Sequence, residues 1–278
     1  MTSRLADIDS RNIRRIAVAG FGAIGAKVAE ALNKGIPGCE LTAISARNLD
    51  RARAAVAHLA RPVKVVPVEE LEALADVVVE CAPAALLPAI VRPFVEAGKT
   101  AIVLSAGALL SCEELIELAR QRGGQIVVPA GALLGLDAVT AAMEGTINSV
   151  KMITRKPIRG LLGAPYLQKH NIDIADIKEP TLIFRGSPRE AAIGFPENLN
   201  VAVALSLAGV GPDKTMLEIW ADPKLSRNTH SIEVDADSAS FSMAIQNVPS
   251  HNPKTGLITA YSVISYLRKL SAPLRVGS

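Results

Sequence analysis

A strand-like run at residues 16–19 leads directly into Gly20-Phe21-Gly22-Ala23-Ile24-Gly25, whose last three residues open a helix-forming stretch at 23–33. Three glycines at this spacing, placed directly after a strand and at a helix start, constrain the fold more than any other feature of the chain. The first permits a tight turn, the second lets a pyrophosphate approach the backbone, and the third lets helix and strand pack closely. The free N–H groups of the helix start then receive the phosphate charge. A glycine-rich turn alone is weak evidence. Here it has its strand, its helix and a second strand at residues 41–45, the spacing of a dinucleotide-binding unit. A purely structural turn is the alternative.

The second strand ends in Ser45-Ala46-Arg47-Asn48. An enzyme strict for NAD usually carries Asp or Glu here for the ribose 2′-hydroxyl. With that acid missing, Arg47 is a candidate partner for a 2′-phosphate, and NADP, or both cofactors, is expected over strict NAD. The alternative is that Arg47 is a solvated loop charge. A fourth strand ends in Glu80-Cys81-Ala82-Pro83. Cys81 and Ala82 are expected to touch the cofactor through their backbone, with Glu80 as a structural partner.

Strand-like runs recur at residues 13–19, 41–45, 63–66, 77–79, 101–104 and 125–128, with helical stretches near 23–33, 49–59, 86–96 and 112–121 between them. Runs this apolar, without polar alternation, are buried on both faces, which predicts an α/β Rossmann domain with a doubly wound parallel sheet. After about residue 133, and a helix at 135–143, the pattern changes. His230, Ile232 and Val234 alternate with Ser231, Glu233 and Asp235, and Phe241, Met243 and Ile245 alternate with polar neighbours. Such alternation predicts a largely antiparallel sheet with one packed face, in a second α+β domain. The expected division is residues 1–133 for the dinucleotide domain, completed by a terminal helix within 253–278, and 134–252 for substrate binding and dimerisation.

Composition narrows the function classes. A net charge of +3 without clustering and only 3% aromatics argue against a nucleic-acid partner. Cys39, Cys81 and Cys112 lack CxxC spacing, and His58, His170, His230 and His251 lack HxH or HxxxH pairing, so no metal is expected. The greasiest stretch, residues 77–91, contains Glu80, Pro83 and Pro88 and reads as a strand and helix start, so no membrane partner is expected. The cysteine pattern and a polar N-terminus place the protein in the cytoplasm.

Several segments carry a family resemblance. Pro129-Ala130-Gly131-Ala132-Leu133-Leu134-Gly135-Leu136-Asp137-Ala138 resembles the Ser-Gly-Ala-Ile-Gly-Gly-Leu-Asp-Ala stretch of the L-aspartate dehydrogenase family. Thr154-Arg155-Lys156-Pro157, the segment from Phe195 to Ala202, Arg227-Asn228-Thr229-His230, Asn252-Pro253-Lys254-Thr255 and the closing Pro273-Leu274-Arg275-Val276-Gly277 are similar to that family in the same order. Departures are Ala130 for a frequent Ser, Leu134 for a frequent Gly, and the lack of a His after Cys81 that some relatives carry. The resemblance implies NAD(P)-dependent oxidative deamination of L-aspartate to iminoaspartate, then oxaloacetate and ammonia, with a place in pyridine nucleotide biosynthesis. It also implies Ala132 and Asn200 as cofactor contacts, His230 as the active-site histidine, and a homodimer formed through the second domain's sheet.

The residues suit that chemistry. Hydride leaves carbon 2 only from a deprotonated amine, and water must then attack the imine; both steps want a group titrating near neutrality, as histidine does. His230 points inward near the rim of its sheet, with a core histidine as the alternative. Lys254 and Thr255, at an expected helix start, are candidates for one substrate carboxylate, and Lys156, with Arg155, for the other. A solvated lysine is the alternative. Competing functions are a dehydrogenase of another amino or keto acid and a non-catalytic dinucleotide sensor, which would not need His230 and Lys254.

Overall fold

A computed structural model describes residues 13–196, 199–249 and 256–277. Two compact units emerge. The first comprises the chain up to Ser105, Cys112–Pro129 and Val263–Val276; the second comprises Ala106–Ser111 and Ala130–Ser262.

The first unit is built on six strands: β1 (Arg14–Ala19), β2 (Cys39–Ser45), β3 (Lys64–Val65), β4 (Val77–Glu80), β5 (Thr100–Val103) and β6 (Gln125–Val127). Every pairing is parallel, in the order β3-β2-β1-β4-β5-β6. This is the doubly wound order, with its reversal between β1 and β4, where ligands bind beyond the strand ends. The continuous apolar runs follow from burial on both faces, since Ile16 to Ala19 and Val77 to Glu80 are all buried. The Ala23–Gly35 helix turns Val28, Ala29 and Leu32 onto this sheet and ends where Gly35 adopts φ 111°. Val263 and Leu267 of the terminal helix, Ile258–Lys269, lie fully buried in the same core. Truncating a residue such as Ile16 there costs about 2–5 kcal/mol.

The second unit carries β7 (Ile147–Lys156), β8 (Thr181–Gly186), β9 (Met216–Ala221), β10 (Thr229–Ala236) and β11 (Ser240–Gln246), in the order β11-β10-β7-β9-β8. Three pairings are antiparallel, but β7 and β9 run parallel, so the sheet is mixed. The parallel pair needs a long crossover, and residues 157–215 supply it with the Pro165–Lys169, Pro188–Gly194 and Asn200–Ala208 helices and β8. One face is packed: Val150 and Met152 on β7, Leu217 and Ile219 on β9, and Ile232 and Val234 on β10 are buried. The other face carries charge. Glu218 receives Lys151 at 3.2 Å and Arg185 at 3.0 Å, and Arg155 stacks over Trp220 at 5.4 Å.

Among the described residues no helix is long and apolar enough to cross a membrane, and no group of three His, Cys, Asp or Glu is placed to hold a metal. Cys39 is buried, Cys81 and Cys112 are half-buried, and all three are free.

Candidate functional site

In the first unit the glycine turn is fixed from two sides. Gly20 N–H donates to the Ser45 carbonyl at the end of β2 (2.8 Å), and Cys81 N–H donates to Ala19 (2.7 Å). Gly20 takes φ 98°, and a Cβ there would stand 2.5 Å from the Cys81 carbonyl oxygen. At Gly25 a Cβ would come 1.9 Å from the Gly20 carbonyl oxygen. Only glycine fits either position. Gly22 differs: it caps the Ala23–Gly35 helix, and a Cβ there would meet nothing within 4 Å. Gly22 and Ala23 are exposed, Phe21 and Ile24 are half-buried, and no side chain caps the helix. The first helical N–H groups therefore face open space, which fits a phosphate group of a dinucleotide.

Glu80 is fully buried and serves the same corner. Its carboxylate accepts from Ala82 N–H (3.0 Å), Leu104 N–H (3.2 Å), Ser105 N–H (2.9 Å) and the Ser105 hydroxyl (3.1 Å). Burial pushes its pKa up, against these bonds. Glu80 thus ties the ends of β4 and β5 together, as a structural partner would. Burial also pushes the neighbouring Cys81 thiol well up, so it is no thiolate nucleophile. Arg47 is exposed, two residues past the end of β2.

In the second unit polar residues gather at one end of the packed face. On β7 the inward positions run Val150, Met152, Thr154, Lys156, so an apolar row ends in a hydroxyl and an amine. His230 of β10 pairs directly with Thr154, and His230 Nδ1 lies 3.2 Å from the Thr154 hydroxyl. That contact leaves Nε2 as the ring atom to meet a ligand. Asn228 lies just before β10, and a Cβ on Gly160 would meet both its Oδ1 (3.7 Å) and the Lys156 Cβ (3.8 Å), so the two side chains flank the same glycine. Asn247 donates its N–H to the Asn228 carbonyl and its side-chain amide to the Ala132 carbonyl, each at 2.9 Å. Its Oδ1 is buried without a hydrogen-bond partner.

His230 and Lys156 are each 4% exposed. Burial, with the Lys156 charge adding to it, pushes the His230 imidazole down to about 3. Burial alone brings Lys156 down to about 8. The sequence led to an expectation of a histidine titrating near neutrality at an open rim; the structure has a buried, neutral imidazole beside a buried lysine.

The residues expected from the sequence thus fall into groups. Gly20, Phe21, Gly22, Ala23, Ile24, Gly25, Cys81 and Ala82 converge in the first unit, with Arg47 just beyond. His230 and Lys156 share one face in the second, and Ala132 joins them through Asn247. Asn200 is exposed at the start of its helix, where its Oδ1 accepts from Gly107 N–H (3.0 Å) and holds the short Ala106–Leu109 helix. Lys254 and Thr255 lie outside the described residues. Thr154, Asn228 and Asn247 were missed as site residues. For Thr154 the signal was present, since it shares its strand's inward alternation with Lys156.

Comparison with known proteins follows the same division. A family described as homoserine dehydrogenase, NAD binding domain, matches residues 20–129, and one described as aspartate dehydrogenase, C-terminal, matches residues 137–270. The chain is 58% identical to the L-aspartate dehydrogenase of Bradyrhizobium diazoefficiens over 95% of its length and 94% of that protein. It is also 58% identical to L-aspartate dehydrogenase 3 of Bordetella bronchiseptica, over 98% of this chain and 100% of the relative. The crystal structure of aspartate dehydrogenase from Thermotoga maritima shares the fold with a TM-score of 0.71 at 23% identity, covering 95% of this chain and 99% of that one.

Proposed function

The chain belongs to the aspartate dehydrogenase family, and from that premise we propose that it oxidises L-aspartate at carbon 2, giving iminoaspartate and then oxaloacetate and ammonia. The observation that carries the reading is the pairing of an open glycine turn in one unit with a His230–Thr154–Lys156 corner in the other, in a chain 58% identical to L-aspartate dehydrogenases. A bound NAD(P) supplies the hydride acceptor. Gly20, Phe21, Gly22, Ala23, Ile24 and Gly25 would hold its pyrophosphate with backbone N–H groups, and Cys81 and Ala82 would line its nicotinamide end.

In the second unit His230 is the catalytic histidine. With Nδ1 engaged by Thr154, its Nε2 directs the water that attacks the imine carbon. Lys156 contacts the substrate from the end of β7, and Lys254 and Thr255 bind a carboxylate at the start of the terminal segment. Asn247 fixes the Ala132 carbonyl, and Ala132 and Asn200 contact the cofactor. Arg47 favours NADP, or use of both cofactors. The working form is a homodimer through the second unit's sheet, in the cytoplasm, where free cysteines persist.

The test is a spectrophotometric screen with both cofactors. L-aspartate is expected to support reduction far better than L-glutamate, L-alanine or L-homoserine. Saturable turnover with one of these, and none with aspartate, would refute the assignment.

A further inference from the structure

We propose that Lys156, not His230, takes the proton from the substrate's ammonium nitrogen, an inference that rests on aspartate oxidation being the activity. Thr154 and Lys156 are successive inward residues of β7, and His230 faces Thr154 across the ladder, so Lys156 stands one step beyond the imidazole on the same face. The rest of that face is Val150, Met152, Leu217, Ile219, Ile232 and Val234, all buried and apolar. A lysine at the end of such a face is desolvated, which favours its neutral form and so its use as a base. Asn228, which flanks Gly160 together with Lys156, and Asn247, whose N–H donates to the Asn228 carbonyl, are the polar neutral groups nearby. The titratable or charged side chains at the flanking strand ends include His230 on β10, Asp222 after β9, Arg227 before β10, and Arg159 after β7, whose guanidinium donates to the Ser226 carbonyl at 3.0 Å. Asp222 donates its N–H to the Lys156 carbonyl, and its carboxylate accepts from Lys224 N–H at 2.9 Å.

The chemistry separates the two candidates. An imidazole held at about 3 is a poor acceptor for a proton from the substrate's ammonium group, because the parent amine is a far stronger base. A lysine amine brought down to about 8 lies much nearer that donor and is partly free of its own proton close to neutrality. The ammonium N–H bond breaks and its proton joins the lone pair of neutral Lys156 Nζ. The substrate nitrogen now has a free pair, which forms the C=N bond as the C2–H bond breaks and its two electrons leave with hydrogen as hydride, taken up by the nicotinamide. Water directed by His230 then adds to the iminium carbon, its protons pass to the nitrogen, and the C–N bond breaks to release ammonium and leave the keto group. In the reverse direction the Lys156 ammonium returns the proton.

Lys156→Arg separates a base from a carboxylate anchor, because arginine keeps the charge and does not deprotonate. In wild-type enzyme kcat/KM for aspartate oxidation is expected to rise with pH through about 8, as Lys156 loses its proton. In Lys156→Arg kcat is expected to fall by roughly 10²–10⁴ and that rise to vanish. Calorimetric binding of succinate, a dicarboxylate without an amine, is expected to stay within a few-fold of wild type in the same variant. Lys156→Met, which removes a buried charge and keeps the fold, is expected to lose kcat to the same extent. Near-normal kcat in Lys156→Arg, or loss of succinate binding together with turnover, would overturn the proposal. A wild-type protein that binds succinate but does not oxidise aspartate would overturn the activity reading itself, and the role of Lys156 with it.

Discussion

The two units place polar groups in opposite ways. At the β1 turn the working groups are backbone N–H groups, and side chains matter by their absence: Gly20 and Gly25 admit no Cβ, and Gly22 leaves its space open. At the end of β7 and β10 the working groups are side chains, projected from two strands 76 residues apart in sequence and buried against an apolar face. The first arrangement is local and rigid, and is tuned by sterics. The second is assembled by sheet register and tuned by desolvation, which lowers both the His230 and the Lys156 pKa. Substitutions in the two places should therefore fail differently: by shape in the first unit, and by charge state in the second.

The largest effect should come from the second unit. His230→Ala is expected to lower turnover by roughly 10²–10⁴ while dinucleotide affinity, held by the other unit, stays nearly unchanged. Because His230 is 4% exposed, the variant should also melt earlier, losing about 1–3 kcal/mol from the broken Thr154 contact and the space left behind. Turnover per folded molecule, measured beside melting temperature and cofactor affinity, separates the two losses. Near-normal turnover would remove His230 from the chemistry.

Desolvation makes a second, pH-dependent difference. His230 has a folded pKa of about 3 against an ordinary value of 6.5. Between these values the unfolded chain binds a proton that the folded one refuses, so stability is complete above 6.5 and is lost as pH falls towards 3. The loss from this one group reaches about 5 kcal/mol. Carboxylates such as Asp76, held low by Arg15, add to the same acid limb, so the comparison needed is with His230→Asn, which should flatten it. Lys156, folded at about 8 against 10.5, contributes stability that grows as pH rises through that window. Chemical denaturation from pH 4 to 10 reads both; an acid limb identical in His230→Asn would mean that the imidazole is solvated.

The same contrast explains what could be read from the chain. The parallel sheet was legible because Ile16 to Ala19 and Val77 to Val79 carry their burial in an unbroken run. The glycine turn was legible because its function needs contiguous residues. The mixed second sheet was read as largely antiparallel from β10 and β11. Its parallel β7–β9 pair stayed hidden because register between distant strands leaves no local trace. For the same reason His230 was found by resemblance and Lys156 only as a weak candidate for a carboxylate. Their burial, and hence their charge states, depends on which strand lies alongside.

In the first unit the expected failure is steric. Gly22→Val meets no protein atom, so the variant should fold and melt as wild type. Its side chain would occupy the approach to the Ala23–Gly35 helix start, where a pyrophosphate must come close to the backbone, and is expected to weaken dinucleotide binding measurably. Gly25→Val should lose stability as well, since its Cβ falls on the Gly20 carbonyl. Equal melting losses in both variants would erase the distinction between an open and a closed glycine.

The smallest expected effect is at Arg47, proposed to read the cofactor through its side-chain charge. Gly20 N–H holds the Ser45 carbonyl, so the end of β2 is anchored to the turn, and Arg47 follows two residues later. Asn48 caps the next helix, Leu49–Val56, by accepting from Arg51 N–H at 2.8 Å, which limits the freedom of the loop. A guanidinium there pairs with a 2′-phosphate through charge-assisted bonds, while a carboxylate accepts from a 2′-hydroxyl and repels the phosphate. Arg47→Asp is therefore expected to weaken NADP by about tenfold to a hundredfold, for roughly 1.5–3 kcal/mol, and to favour NAD. Because Arg47 is exposed, the effect should shrink as salt rises, unlike anything at buried Lys156. The ratio of kcat/KM for the two cofactors, measured at low and high ionic strength, tests both statements. A ratio unchanged by the substitution would show that Arg47 does not read the 2′ position.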